Sequence, residues 1–300
     1  MSKRILFYLF LINVGVFLSS CDFLKGKLSE GDENYTYGEA FVLADESIFP
    51  VVDDEHQVFL ETYKRAKINM LYKPLKQVIQ LFVEDSVSVA ILPRLLKPEE
   101  KAYFDQRKIT IRATKFAIDG IGLITGKNNP DSLITQEELI HLLSGKSNNK
   151  RVLVFDNPQS SIVEYLMELA NVKELPKDLA YSLQSSQEVI SYVKDNPNSI
   201  GIISVSWIKR APADMQDDIK QVKFVAVKSG NGNYELPSQS NLKTKTYPLT
   251  RDLYLIDGQG KAGLGTGFAA FMASDIGQRI ILKSGLAPDS LPSRQIIIRK

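Results

Sequence analysis

The feature that most restricts the fold of this chain is an alternation: amphipathic helical stretches and short apolar runs take turns from residue 55 to the C-terminus. The period of the apolar residues predicts helices over 55–65, 74–83, 97–107, 135–143, 160–170, 185–194, 262–272 and 274–284. Pro74 and Pro98 fall in first turns, where a missing N–H costs nothing. Thr135 with Glu138, and Ser185 with Glu188, form capping boxes. Strands are expected over 67–71, 87–92, 109–118, 120–125, 151–155, 200–205, 222–227, 249–256 and 295–298, with Asp119-Gly120 separating the two in the middle. Residues 230–245 are polar and turn-rich and read as a loop. Helix-strand alternation of this kind argues an α/β fold with mainly parallel sheets. No internal repeat is present.

Ahead of this pattern lies a targeting segment. Lys3 and Arg4 precede an almost wholly apolar run, 5–17, of a length that suits a signal peptide better than a membrane span. Leu18-Ser19-Ser20-Cys21 follows and resembles a bacterial lipobox. Residues 1–20 are therefore expected to be a lipoprotein signal peptide, and Cys21 the acylated anchor to a membrane. The other reading is an uncleaved anchor helix. Either places the body outside the cytoplasm, on the periplasmic or cell-surface side. Residues 21–37 read as a flexible tether.

Composition excludes several functions. Basic and acidic residues number 37 and 35, and two of the basic ones lie in the signal peptide. The mature chain is then neutral, with no global field to attract nucleic acid. Any charged ligand must be held by local groups. The one cysteine allows no internal disulfide and no cysteine nucleophile in the body. With two histidines it assembles no Cys/His metal cluster. A Ser-His-Asp triad would need His56 or His141, and no Gly-x-Ser-x-Gly elbow is present. The chain is read as a non-enzyme without cofactor or metal.

Several segments resemble the phosphate-binding components of bacterial ABC importers, the PstS-type periplasmic binding proteins. Phe116-Ala117-Ile118-Asp119-Gly120 is similar to that family's strand crossing from the first lobe to the second. Asn129-Pro130, Gln136 to Ile140 and Gly145-Lys146 follow the family's next segment. Tyr247-Pro248-Leu249-Thr250-Arg251 resembles the return crossing. Ile276-Gly277-Gln278-Arg279 and Gly285-Leu286-Ala287-Pro288 match the C-terminal helix pair. The resemblance implies a type II periplasmic-binding-protein fold, with two α/β lobes, two crossover strands and a ligand cleft between them. Lobe I would hold 38–117 and 250–300, and lobe II 118–249.

Binding in such a cleft is hydrogen bonding rather than bond breaking. Helix N-termini with serine hydroxyls suit a tetrahedral oxyanion. Ser160 and Ser161 open a helix after strand 151–155 and are the first candidates, with Asn157 in the same turn. They read equally as a plain N-cap pair. Where the family has Arg-x-x-x-Ser-Gly-Thr, this chain keeps the serine but has Asp156, Ser161 and Ile162. Ser47, ahead of Pro50, is the second candidate, against a solvated loop. Arg94 is the third, against an ion pair with Glu99 or Glu100. Asp119 is included at the crossing, although capping a turn is its simpler role. Arg251 is expected to stabilise the hinge, and Trp207 to pack inside lobe II.

The resemblance implies a monomeric, lipid-anchored solute-binding protein that captures inorganic phosphate or a similar oxyanion for an ABC permease. Two alternatives stay open: the same fold serving as a sensor or interaction module for another ligand, and an extracytoplasmic hydrolase.

Overall fold

The computed structural model describes residues 34–147, 151–177, 180–230 and 232–290. The expected signal peptide, Cys21 and the strand at 295–298 lie outside them. Strand β1 (Gly38–Asp45) leads through a single 3-10 turn, Glu46–Ile48, into α1 (Phe49–Thr62). Then follow β2 (Ala66–Lys73), α2 (Leu75–Val83), β3 (Val89–Leu92), α3 (Pro98–Gln106) and the long β4 (Arg112–Gly126). Beyond it come β5 (Leu133–Thr135), α4 (Gln136–Leu143), β6 (Leu153–Phe155), α5 (Ser161–Ala170), β7 (Ala180–Ser182), α6 (Ser186–Asp195) and β8 (Ile200–Ser204). Short helices α7 (Ser206–Lys209) and α8 (Gln216–Ile219) lead to β9 (Val222–Phe224), β10 (Ala226–Lys228), β11 (Tyr234–Glu235) and α9 (Gln239–Thr244). β12 (Thr250–Asp257) returns, and α10 (Leu264–Ala273), α11 (Asp275–Lys283) and β13 (Ala287–Pro288) complete the described chain.

The main sheet has the order β2-β1-β3-β12-β4-β8-β6-β7, with β9 and β13 also on β4. β1 is parallel to β2 and β3, and β6 is parallel to β7 and β8. Between these two parallel blocks run β4 and β12, antiparallel to each other. The first part of β4, to Gly120, pairs with β12; from Ile121 it pairs with β8 and β9. The sheets are thus mixed rather than mainly parallel, because two strands cross between the halves in opposite directions. One core gathers Val42, Phe59, Leu253 and Phe268 around β1, α1 and α10. Another gathers Leu123, Leu139, Phe155, Leu166 and Tyr247 around β4, β6 and α5. The result is two α/β halves joined by two strands. Among the described residues no helix is long and apolar enough to cross a membrane.

Several expectations change. Asp119-Gly120 does not interrupt a strand pair, since β4 runs through it without a break. The glycine serves close packing: a Cβ on Gly120 would meet Leu242 at 2.7 Å and Val205 at 3.0 Å. The apolar run 222–227 divides at Val225 into β9 and β10, which join different sheets. The stretch 230–245 is not all loop. Ser238 caps α9 by accepting from Asn241 N, and α9 buries Leu242 in the core. α1 starts at Phe49, with Pro50 in its first turn, six residues before the amphipathic period becomes legible. Of the expected tether, residues 34–37 fall in the described chain and pack on the body, with Arg65 4.7 Å from the Tyr37 ring centre.

Candidate functional site

Asp45, Ser47, Asp119, Ser161 and Arg251 converge where the two halves meet, and all are buried. Each is delivered by a strand end, a crossing strand or a helix start. Asp45 ends β1 and caps the following 3-10 turn, accepting from Ser47 N at 3.0 Å. Ser161 is the first residue of α5. The turn before it is held by Asn157, whose side chain accepts from Gln159 N at 2.9 Å. Asp119 on β4 and Arg251 on β12 face each other in register across the two crossing strands.

Arg251 organises the cluster. Its Nε and Nη2 lie 2.9 Å from Asp119 Oδ2. Nη1 donates to Ser161 Oγ at 2.8 Å and Nη2 to Ser47 Oγ at 2.9 Å. The two serine hydroxyls, one from each half, are 3.0 Å apart. Both also hydrogen bond to Asp45 Oδ1, Ser161 at 3.0 Å. Ser204 at the end of β8 donates to Asp119 Oδ1 at 2.9 Å, so both carboxylate oxygens of Asp119 are used. Across the same junction Trp207 Nε1 donates to Ser47 O at 2.9 Å, and its ring stacks on Phe49.

The electrostatics are acidic. Burial pushes Asp45 up, against the pull of Arg251 and the serine hydrogen bonds. Asp156, fully buried after β6, is pushed up to about 7 by burial, with Asp45 adding to the rise. Glu46 is pushed up to about 7, first by burial and then by Asp156 and Asp45. Burial also raises Asp119, opposed by Arg251 and Ser204. Asp45 Oδ2, Glu46 Oε1 and Asp156 Oδ1 receive no hydrogen bond from any described residue. Buried oxygens of this kind call for donors. Among the described residues no group of acidic, histidine or cysteine side chains is arranged to hold a metal ion.

Of the residues singled out from the sequence, Ser47, Asp119 and Ser161 come together. Ser160 lies beside them, buried, but its hydroxyl accepts from Val163 N at 3.3 Å and so caps its own helix. Asn157 shapes the turn. Arg94 lies outside the cluster, where its fork takes both oxygens of Glu100 at 2.8 Å and its Nε meets Glu164 at 2.5 Å. Two expectations are extended. Arg251 braces the two crossing strands through Asp119, as expected, and two of its nitrogens also donate to the serines of the cluster. Trp207 packs in the second half with Ile124, Val154 and Val189, as expected, and its indole N–H also reaches the first half. The signal for Arg251 was present: a lone Asp in the apolar run 116–124 and a lone Arg at the start of the return strand need each other when buried.

This architecture is that of the two-lobed binding proteins, and the comparisons agree. A family model described as PBP superfamily domain matches residues 31–275. The chain belongs to that superfamily. The phosphate-binding protein PstS of Staphylococcus saprophyticus is 23% identical over 289 residues, covering 91% of this chain and 85% of the relative. Among solved structures, a putative phosphate ABC transporter substrate-binding protein with bound phosphate from Clostridium perfringens superposes with a TM-score of 0.71 at 24% identity, over 84% of this chain and all of the other. An ABC-type phosphate transport receptor from Vibrio cholerae gives 0.64 at 18% identity, over the same 84% and again all of the other. These structural likenesses establish the fold.

Proposed function

We propose that this protein captures phosphate outside the cytoplasm and hands it to an ABC permease, held at the membrane by an acylated Cys21. It acts as a monomer and breaks no bond. Lobe I is assigned to 38–117 with 250–300, and lobe II to 118–249, with β4 and β12 as the hinge. The observation that carries the reading is the Arg251 guanidinium, which donates to Ser47 of one half and Ser161 of the other. An oxyanion between the halves would take these donors in place of the Asp45 carboxylate, with charge-assisted hydrogen bonds from the arginine. The unpaired oxygens of Asp45, Glu46 and Asp156 supply the complementary half of the reading. In their ionised form these carboxylates pair best with a ligand that offers hydrogens as well as accepting them. Phosphate carrying one or two protons does both, whereas sulfate only accepts.

The test is calorimetric titration and thermal melting of the chain without residues 1–21. Phosphate at 100 times its Kd stabilises by about 2.7 kcal/mol, or roughly 4–6 °C for a body of this size. Sulfate leaves the melting temperature unchanged. One observation favours a second reading, a sensor or interaction module for another ligand: Asp156 stands where the resembling family carries an arginine. Stabilisation by a different solute with phosphate silent would establish it. Labelling with a radioactive fatty acid, lost in Cys21→Ala, tests the anchor.

A further inference from the structure

We propose that Arg94, Lys97, Glu164 and Glu168 form an ionic latch across the mouth of the cleft, which sets how far the two halves close and so tunes ligand affinity from outside the site. The consequence for affinity rests on the function proposed above; the latch itself does not.

Arg94 follows β3 in one half, and Glu164 lies on α5 in the other. Arg94 Nε meets Glu164 Oε1 at 2.5 Å. Lys97 Nζ reaches the same oxygen at 3.3 Å and Glu168 Oε1 at 2.8 Å. The arginine is already oriented by its own half: Glu100 takes both of its terminal nitrogens, and Glu100 Oε2 in turn accepts from Lys97 N at 2.7 Å. A fork held this way loses little further freedom when it grips Glu164. The Arg94 side chain is 19% exposed and Glu164 22%, so the contact is screened less than an ordinary surface pair.

Position gives the pair its leverage. Glu164 lies one turn after Ser161 on the same face of α5, and drawing it toward Arg94 draws Ser161 toward Ser47. Gln159 O, just before α5, accepts from Lys76 N at 3.3 Å on the same flank. A cavity of about 530 Å³, lined by Lys76, Lys97, Ser160, Glu164 and Glu168, opens beside the latch and gives solvent ions access to it. On another side of the junction Arg210 pairs with Asp54, and Trp207 holds Ser47 O. Hinge closure is an equilibrium, and apparent affinity scales with the closed, competent fraction.

The experiment uses the full-length chain in a non-ionic detergent and its single tryptophan, Trp207. Its indole N–H crosses between the halves, so acrylamide quenching of its emission reports opening. For the wild type without ligand, quenching is expected to rise from low salt to about 1 M NaCl, where the Debye length is about 3 Å. In Glu164→Gln it is expected to be higher than wild type at low salt and to rise less with salt, the remaining slope coming from the Lys97–Glu168 and Arg210–Asp54 pairs. Arg94 keeps Glu100 in that variant, so no buried charge is stranded, and circular dichroism checks that the fold is kept. The phosphate Kd of Glu164→Gln is expected to weaken about five-fold or more, with most of the change in the off-rate. Quenching of Glu164→Gln equal to wild type at low salt overturns the latch, whatever phosphate does. A wild type that ignores phosphate overturns the proposed function and leaves the latch to be decided by quenching alone.

Discussion

Arg251 and Arg94 both hold carboxylates at hydrogen-bond distance, and both touch groups from each half of the molecule. Their surroundings differ. Arg251 is 6% exposed, on a crossing strand, and shares its donors between Asp119 and two serines. Arg94 sits at the rim, fully occupied by Glu100, Glu164 and the carbonyl of Leu95. The two arginines put one side chain to two uses. A guanidinium whose neutral partners can exchange for a ligand is suited to recognition. One saturated by carboxylates is suited to holding two surfaces together.

The largest effect is expected at Arg251. Arg251→Met strands Asp119 in the core and is expected to cost about 3–5 kcal/mol of stability, read by denaturant unfolding, and to abolish phosphate binding. A loss below 1 kcal/mol would place Asp119 in contact with water. Next in size is the acidic side of the site. Asp156 titrates near 7 when folded and near 4 when unfolded. Between these values the folded state binds the extra proton, so stability falls as pH rises through that window and the penalty is complete above it. Asp156→Asn should therefore match the wild type near pH 4 and exceed it above pH 7, by on the order of a few kcal/mol. A difference in melting temperature that does not change with pH would contradict this.

Smaller effects divide the two serines. Ser161→Ala removes a donor and acceptor shared by Asp45 and Arg251, and it should weaken phosphate binding by about 1.5–3 kcal/mol in calorimetry. Ser160→Ala removes a helix cap and should cost about 1 kcal/mol of stability while leaving affinity nearly unchanged. The reverse outcome would exchange their roles. Smallest is Arg94→Gln, expected to lower unfolding stability by about 1 kcal/mol or less in urea titration.

Helices with side-chain caps were legible from the sequence, because the cap and the amphipathic period lie within a few residues of each other. Thr135, Ser185 and Ser274 each accept the N–H three residues on, at the expected starts of their helices. Strand β1 was missed, since its alternation is weak and its neighbours β2 and β3 come from later in the chain. Helix α9 was hidden in a polar stretch whose one buried anchor, Leu242, makes sense only against Gly120 and Val205 of other elements. In the site, Ser47 and Ser161 were legible as serines near helix starts. Which serine of the 160–161 pair faces the junction was not, because that depends on the rotation of α5 about its axis.

The sequence by itself determined the alternation of strands and helices, the caps that start many of the helices, and the placing of hydroxyls near helix N-termini. These depend on contacts a few residues apart. Only the tertiary structure decided that Asp119 meets Arg251, that Arg251 reaches serines of both halves, and that Arg94 is spent on Glu100 and Glu164. Those partners lie 132, 90 and 204 positions apart around Arg251, and 6 and 70 around Arg94. Apart from the Glu100 pair, strand register and the packing of two halves bring them together, and local sequence does not encode either.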